Sequence, residues 1–121
     1  MAQSKRQSQV GEMIKRNFGT VLQQEGSYIY GVEPFVTVTN VIMSPDLALA
    51  KIYLSVYNVE DKQAVVDQID HELSSLKQSL VPRIRKHVRR IPTLAVYIDE
   101  TLDEMYRLNE VFDELNGKKD K

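Results

Sequence analysis

The sequence contains no cysteine and no tryptophan, and only 5 glycines and 4 prolines in 121 residues. Without cysteine, disulfides and thiolate metal sites are excluded, so stability has to come from packing, which suits the reducing cytosol. No run of 18 or more apolar residues occurs, so no helix can be expected to span a membrane. Residues 1–10 carry Lys5 and Arg6 with no apolar run behind them, which does not read as a secretory signal. There is no internal repeat and no low-complexity tract. GxSxG, a Walker loop, GxGxxG and HExxH are all missing. His71 and His87 stand far apart with no cysteine nearby, and the carboxylate pairs Asp99/Glu100 and Asp103/Glu104 sit among solvent-facing acids. The expectation is a protein with no catalytic residues, metal, cofactor or small-molecule substrate.

Apolar residues make up 42% of the chain and charged residues 27%, the balance of a folded rather than a disordered protein. The length fits one domain over residues 1–121, with an ordered core at about 8–116 and a short tail at 117–121. Val10, Met13, Ile14, Phe18, Val21 and Leu22 mark one helical face, predicting a helix over residues 8–25 with Ser8 as N-cap and Gly26 as C-cap. The stretch through Tyr28, Tyr30, Gly31 and Pro34 reads as an irregular connection, its tyrosines candidates for packing or for stacking on bases.

Residues 35–42 are dense in β-branched side chains, and residues 48–56 alternate Ala48, Ala50, Ile52, Leu54 and Val56 against polar positions. The Ser44-Pro45-Asp46 turn pairs them as an antiparallel hairpin. Helical periodicity returns with Val65, Val66, Ile69, Leu73, Leu76, Leu80, Ile84 and Val88. Pro82 would cost a continuous helix roughly 3 kcal/mol, so a kink is expected near Ser74, Ser75 or Ser79, and with Ser79 as N-cap Pro82 would fall in a new first turn. Leu94, Val96 and Ile98 form a third strand, expected to return beside the first, and a last helix runs from Leu102 to Leu115 before Gly117. The fold class is α+β: a three-stranded mixed sheet with helices mainly on one face, in the order α-β-β-α-α-β-α. That is the plan of a type II K-homology domain, although the GxxG loop of such domains is missing.

The hairpin VTVTNVIMSPDLALAKIYLSV, residues 36–56, resembles the ribosome-binding factor A family at Thr37, Val38, Val41, Ser44, Pro45, Asp46, Leu47, Ala50, Lys51 and Tyr53. IPTLAVYIDETLDEMYRLNEVF, residues 91–112, is similar to that family's second strand-and-helix segment. The family replaces GxxG with an Ala-x-Gly kink, and this chain has Glu72, Leu73 and Ser74 there instead. The resemblance implies a monomeric, cytoplasmic bacterial factor. It would bind the free small (30S) subunit and its 16S rRNA and assist late maturation, including 5′-end processing and cold adaptation, without catalysis.

Net charge is only −1, but phosphates respond to local density rather than to the sum. Residues 73–98 contain no acid, yet hold Lys77, Arg83, Arg85, Lys86, Arg89 and Arg90. Such a run can be a solvated helix face. Lying on the unit that the resemblance sets against rRNA, it becomes the candidate RNA-binding segment, with Lys15, Arg16 and Lys51 as secondary candidates. The alternative is a protein-interaction adaptor of the same fold that works through the acids of its last helix.

Overall fold

The computed structural model describes residues 3–100. The helix expected from Leu102 to Leu115 and the tail at 117–121 lie outside them. Helix α1 spans Lys5–Glu25. It begins earlier than its apolar stripe suggests because Ser4, not Ser8, is the N-cap: Gln7 N donates to Ser4 Oγ (3.1 Å) and Ser4 N to Gln7 Oε1 (2.8 Å), a reciprocal capping box. Gly26 does follow the helix, but with ordinary right-handed dihedrals; a Cβ there would run into the Tyr30 hydroxyl. The connection is not irregular throughout, since Ser27–Tyr30 forms a single helical turn, α2.

Strands β1 (Phe35–Met43) and β2 (Leu49–Tyr57) pair antiparallel as expected. Strand β3 (Thr93–Ile98) runs parallel to β2, giving the order β1-β2-β3. The expectation that β3 returns beside β1 is therefore corrected. Helix α1 already packs over β1, so the crossover returns along the free edge of β2, where its first helix also contacts β3. The sheet is mixed, as foreseen, with β2 central.

The crossover consists of α3 (Lys62–His71), α4 (Leu73–Ile84) and a 3₁₀ turn at Arg85–His87. The kink falls at Glu72 (φ −99°, ψ 17°), the first of the three residues that stand where the family has Ala-x-Gly and two residues before Ser74, the nearest of the serine breaks. Ser74 and Ser75 belong to the first turn of α4 and are exposed. Pro82 lies not in a first turn but near the end of α4, its ring exposed. Only two helical residues follow it before the chain tightens into the 3₁₀ turn, so the missing donor interrupts a helix that is already ending.

Val10, Ile14, Phe18 and Val21 of α1, Val65, Val66 and Ile69 of α3, and Leu76, Leu80 and Ile84 of α4 close on Ala50, Ile52, Leu54 and Val56 of β2. The opposite face of the sheet carries Lys51 and a stacked pair, Tyr53 and Tyr97, with ring centroids 5.5 Å apart. The β1–β2 register shifts between Val38 and Asn40. At that irregularity Thr39 Oγ1 donates to Asp99 Oδ2 at 2.5 Å, while Asp99 N donates to Leu54 O at 2.7 Å.

Two glycines of α1 differ in what surrounds them. A Cβ on Gly11 would lie 2.9 Å from the carbonyl oxygen of Val41 on β1; a Cβ on Gly19 would meet nothing within 4 Å. Gly11→Ala should therefore lower the unfolding free energy by about 1–2 kcal/mol, overpacking outweighing a helix-propensity gain of roughly 1 kcal/mol. Gly19→Ala keeps only the gain and should be stabilising by up to about 1 kcal/mol. Urea denaturation of both variants checks the contrast, and equal stabilisation would mean that α1 does not approach β1 so closely.

Candidate nucleic-acid interface

The last turn of α4, the 3₁₀ turn and residues 88–92 run past the N-terminal half of α1. Arg6 joins the two walls, its Nη2 donating to the carbonyl oxygen of His87 at 3.0 Å. Two adjoining cavities share Arg6 and Val10. One, of about 420 Å³, lies between α1 and the end of α4 and is lined by Arg16, Asn17, Arg83 and His87 among others. The other, of about 720 Å³, opens beside the hairpin turn and is lined by Asp46, Leu47, Val88, Arg89, Arg90 and Pro92. We treat the pair, meeting at Arg6 and Val10, as the groove; Arg6, Arg16, Arg83, Arg89 and Arg90, all exposed, each line at least one of its two cavities.

Of the basic residues singled out in the sequence, the structure brings Arg16, Arg83, Arg89 and Arg90 to this groove. Arg85 and Lys86 are exposed on the 3₁₀ turn next to it without lining either cavity. Lys15 and Lys77 are half-buried on their helices and line neither. Lys51 is exposed on the other side of the sheet, since its neighbours Ala50 and Ile52 face the core. Arg6 escaped the sequence reading because the helix was started at Ser8. With the cap at Ser4, Arg6, Val10, Met13 and Asn17 fall at i, i+4, i+7 and i+11 on one face. Arg83 Nη2 also reaches Gln24 Oε1 at 3.3 Å.

The kink itself is acidic. A smaller depression there is lined by Ile29, Asp67, Gln68, His71 and Glu72. Among the described residues no group of histidines and carboxylates is placed to hold a metal. Tyr28 is 89% exposed but lines neither cavity of the groove. Tyr30 is half-buried, and burial pushes its hydroxyl above the ordinary tyrosine range. Asp103 and Glu104 lie outside the described residues, as do the other acids of the expected last helix. No described helix is long and apolar enough to cross a membrane.

Among the described residues, Asp46 is the one acid lining the groove's cavities. Its Oδ1 accepts from Ser44 Oγ (2.7 Å) and from Ala48 N (3.1 Å). The Ser44 hydroxyl, then the Ala48 amide and, more weakly, Arg90 hold its carboxyl below the ordinary range. Leu47, next along, has φ +61°, a left-handed conformation that a branched side chain seldom takes.

A mixed three-stranded sheet backed on one face by α1 and a kinked helical crossover defines a K-homology-like α+β domain. The family model for ribosome-binding factor A matches residues 6–112. The chain belongs to that family. A ribosome-binding factor A of Cytophaga hutchinsonii is 34% identical over 93% of this chain and 84% of its own length. The one from Chlorobaculum tepidum is 34% identical over 84% of this chain and 89% of its own. Among solved structures, the crystal structure of ribosome-binding factor A from Thermus thermophilus superposes with a TM-score of 0.63 at 17% identity, covering 76% of this chain and 94% of that one. A homology model of the Thermus thermophilus factor, fitted into a cryo-electron-microscopy map of a complex of 30S with ribosome-binding factor A, gives 0.51 at 22% identity, covering 72% and 92%.

Because the folded carboxyl of Asp46 titrates below its unfolded value, the charged form stabilises the turn at neutral pH. That contribution fades as the pH falls through the depressed value. Asp46→Asn should therefore melt below the parent protein at pH 7, and the gap should narrow as thermal scans are taken down towards pH 3.

Proposed function

We propose that this protein binds the free small ribosomal subunit through 16S rRNA, with the arginines of the α1–α4 groove meeting backbone phosphates. It acts in the cytoplasm, as a monomer and without catalysis, to assist late maturation of that rRNA, including its 5′ end. Family membership supports the partner, since the Thermus thermophilus relative was fitted into a map of its 30S complex. The observation that carries the reading to particular residues is that Arg6, Arg16, Arg83, Arg89 and Arg90 line two cavities that meet at Arg6 and Val10. Arginine is suited to this task because its planar fork can bridge two phosphate oxygens and never loses its charge. Arg85, Lys86, Lys77 and Lys15 add to the local field, whereas Lys51, on the far side of the sheet, is outside this contact. Ser74, Ser75 and Pro82 lie within α4, after the kink.

Phosphate contact releases counterions, so affinity should fall with salt at a logarithmic slope of about 0.7–0.9 per contact. Purified protein is expected to co-sediment with free small subunits and not with joined ribosomes, the slope amounting to several contacts. Arg83→Glu combined with Arg89→Glu should abolish that binding while the melting temperature stays within a few degrees, because both side chains are exposed. Binding that ignores salt, or that survives the double variant, would move the interface off this groove. Recovery with no ribosomal fraction at all would remove the ribosomal reading.

A further inference from the structure

The larger cavity is built differently from the rest of the groove. Val10 and Pro92 are buried beneath it, with Leu47 and Val88 half-buried beside them, while Arg6, Arg89 and Arg90 are exposed around it. A site that only counted phosphates would gain nothing from an apolar floor. It would be weakened by a carboxylate, yet Asp46 is there, its charge fixed in place by Ser44 and Ala48. Both features suit a nucleobase. Its faces are apolar enough to lie on aliphatic side chains and guanidinium planes, and its edge carries N–H groups that a carboxylate accepts. The volume, about 720 Å³, falls inside the range of roughly 300–1,000 Å³ usual for clefts that hold small ligands.

We infer that this cavity takes one unpaired nucleotide of the bound RNA, its base against Val10, Leu47, Val88 and Pro92, an amine of the base donating to Asp46, and its phosphate facing Arg6, Arg89 and Arg90. The inference rests on the RNA-binding reading above and narrows it to a base class. Adenine, cytosine and guanine carry an exocyclic amine; uracil has none, and its single ring N3–H lies between two carbonyl oxygens that a carboxylate repels. The hairpin turn is what selects: Asp46 and Leu47, the latter at φ +61°, line the same cavity.

The test titrates the ¹⁵N-labelled full chain with AMP, CMP, GMP, UMP and ribose 5-phosphate, following backbone amides by NMR. The first three should shift the amides of Asp46, Leu47, Ala48, Arg89 and Arg90 saturably, and UMP and ribose 5-phosphate should bind about fivefold more weakly or worse. Asp46→Asn keeps an oxygen for Ser44 and Ala48 but exchanges an acceptor for an N–H donor. It should erase the preference over UMP while leaving ribose 5-phosphate binding intact. Equal binding of all five would reduce the site to a phosphate contact and overturn the inference, as would shifts elsewhere or none. Co-sedimentation with small subunits is scored separately, so a groove that binds the subunit without discriminating bases sinks this inference alone. A chain that prefers amine-bearing nucleotides but never sediments with the subunit sinks the ribosomal reading instead.

Discussion

Gly11 has no Cβ, and the carbonyl oxygen of Val41 lies where that atom's contact shell would be, 2.9 Å from its position. The absence lets α1 settle directly on β1, and much of the molecule follows from how low it sits. Gln3 and Gln7 can then both donate to the carbonyl oxygen of Met43, at 2.7 and 2.9 Å, tying the start of the helix to the end of the strand. Held there, the first turns of α1 project past the sheet towards the hairpin turn on one side and the 3₁₀ turn on the other. Arg6 thereby comes within 3.0 Å of His87 O, and the groove acquires its second wall. Raising the helix by the width of a methyl group would loosen the core and open the groove together.

How much of this was legible depended on whether the signal was local. The apolar stripe of α1 and the hairpin from Phe35 to Tyr57 could be read because period and turn chemistry are written in neighbouring residues. The partner of β3 could not, because its alternation is the same beside β1 or β2; the choice is made by α1, which occupies the space above β1. Serines and a proline look like helix breakers, so composition alone points past the kink, whereas the family resemblance, which sets Ala-x-Gly at Glu72, Leu73 and Ser74, points to it. Glu72 breaks the helix by an ordinary residue adopting φ −99° and ψ 17°. For the candidate site, Arg83, Arg89 and Arg90 were visible as an uncompensated basic run. Arg6 belongs to a distant segment, and only the fold shows that it faces them. Lys51 is the reverse case: its place in the hairpin motif suggested a role, yet strand alternation puts it on the opposite side of the sheet.

Charge is sorted along the crossover in a way that also serves the helix. The carbonyl end of a helix bears about half a negative charge. Arg83 in the last turn of α4, and Arg85 and Lys86 just beyond it, offset that charge in the free protein. The acids Asp67, Asp70 and Glu72 collect at the other end, around the kink. Of the groove's arginines, Arg83 is thus compensated by the end of its own helix. The acidic kink, in turn, disfavours a polyanion in the place where other domains of this plan carry their GxxG loop.

The hydrogen bond from Thr39 to Asp99 links two strands that are not neighbours. β1 and β3 are the outer strands of the sheet, yet Thr39 Oγ1 and Asp99 Oδ2 meet at 2.5 Å, at a register shift that gives Thr39 room to reach. With Asp99 N bound to Leu54 O, one residue holds both the middle strand and the far edge. The sheet is in effect laced shut at that end. A force that peels β3 from β2 must also drag on β1, so the three strands share mechanical load and open as one unit instead of unzipping from the parallel edge.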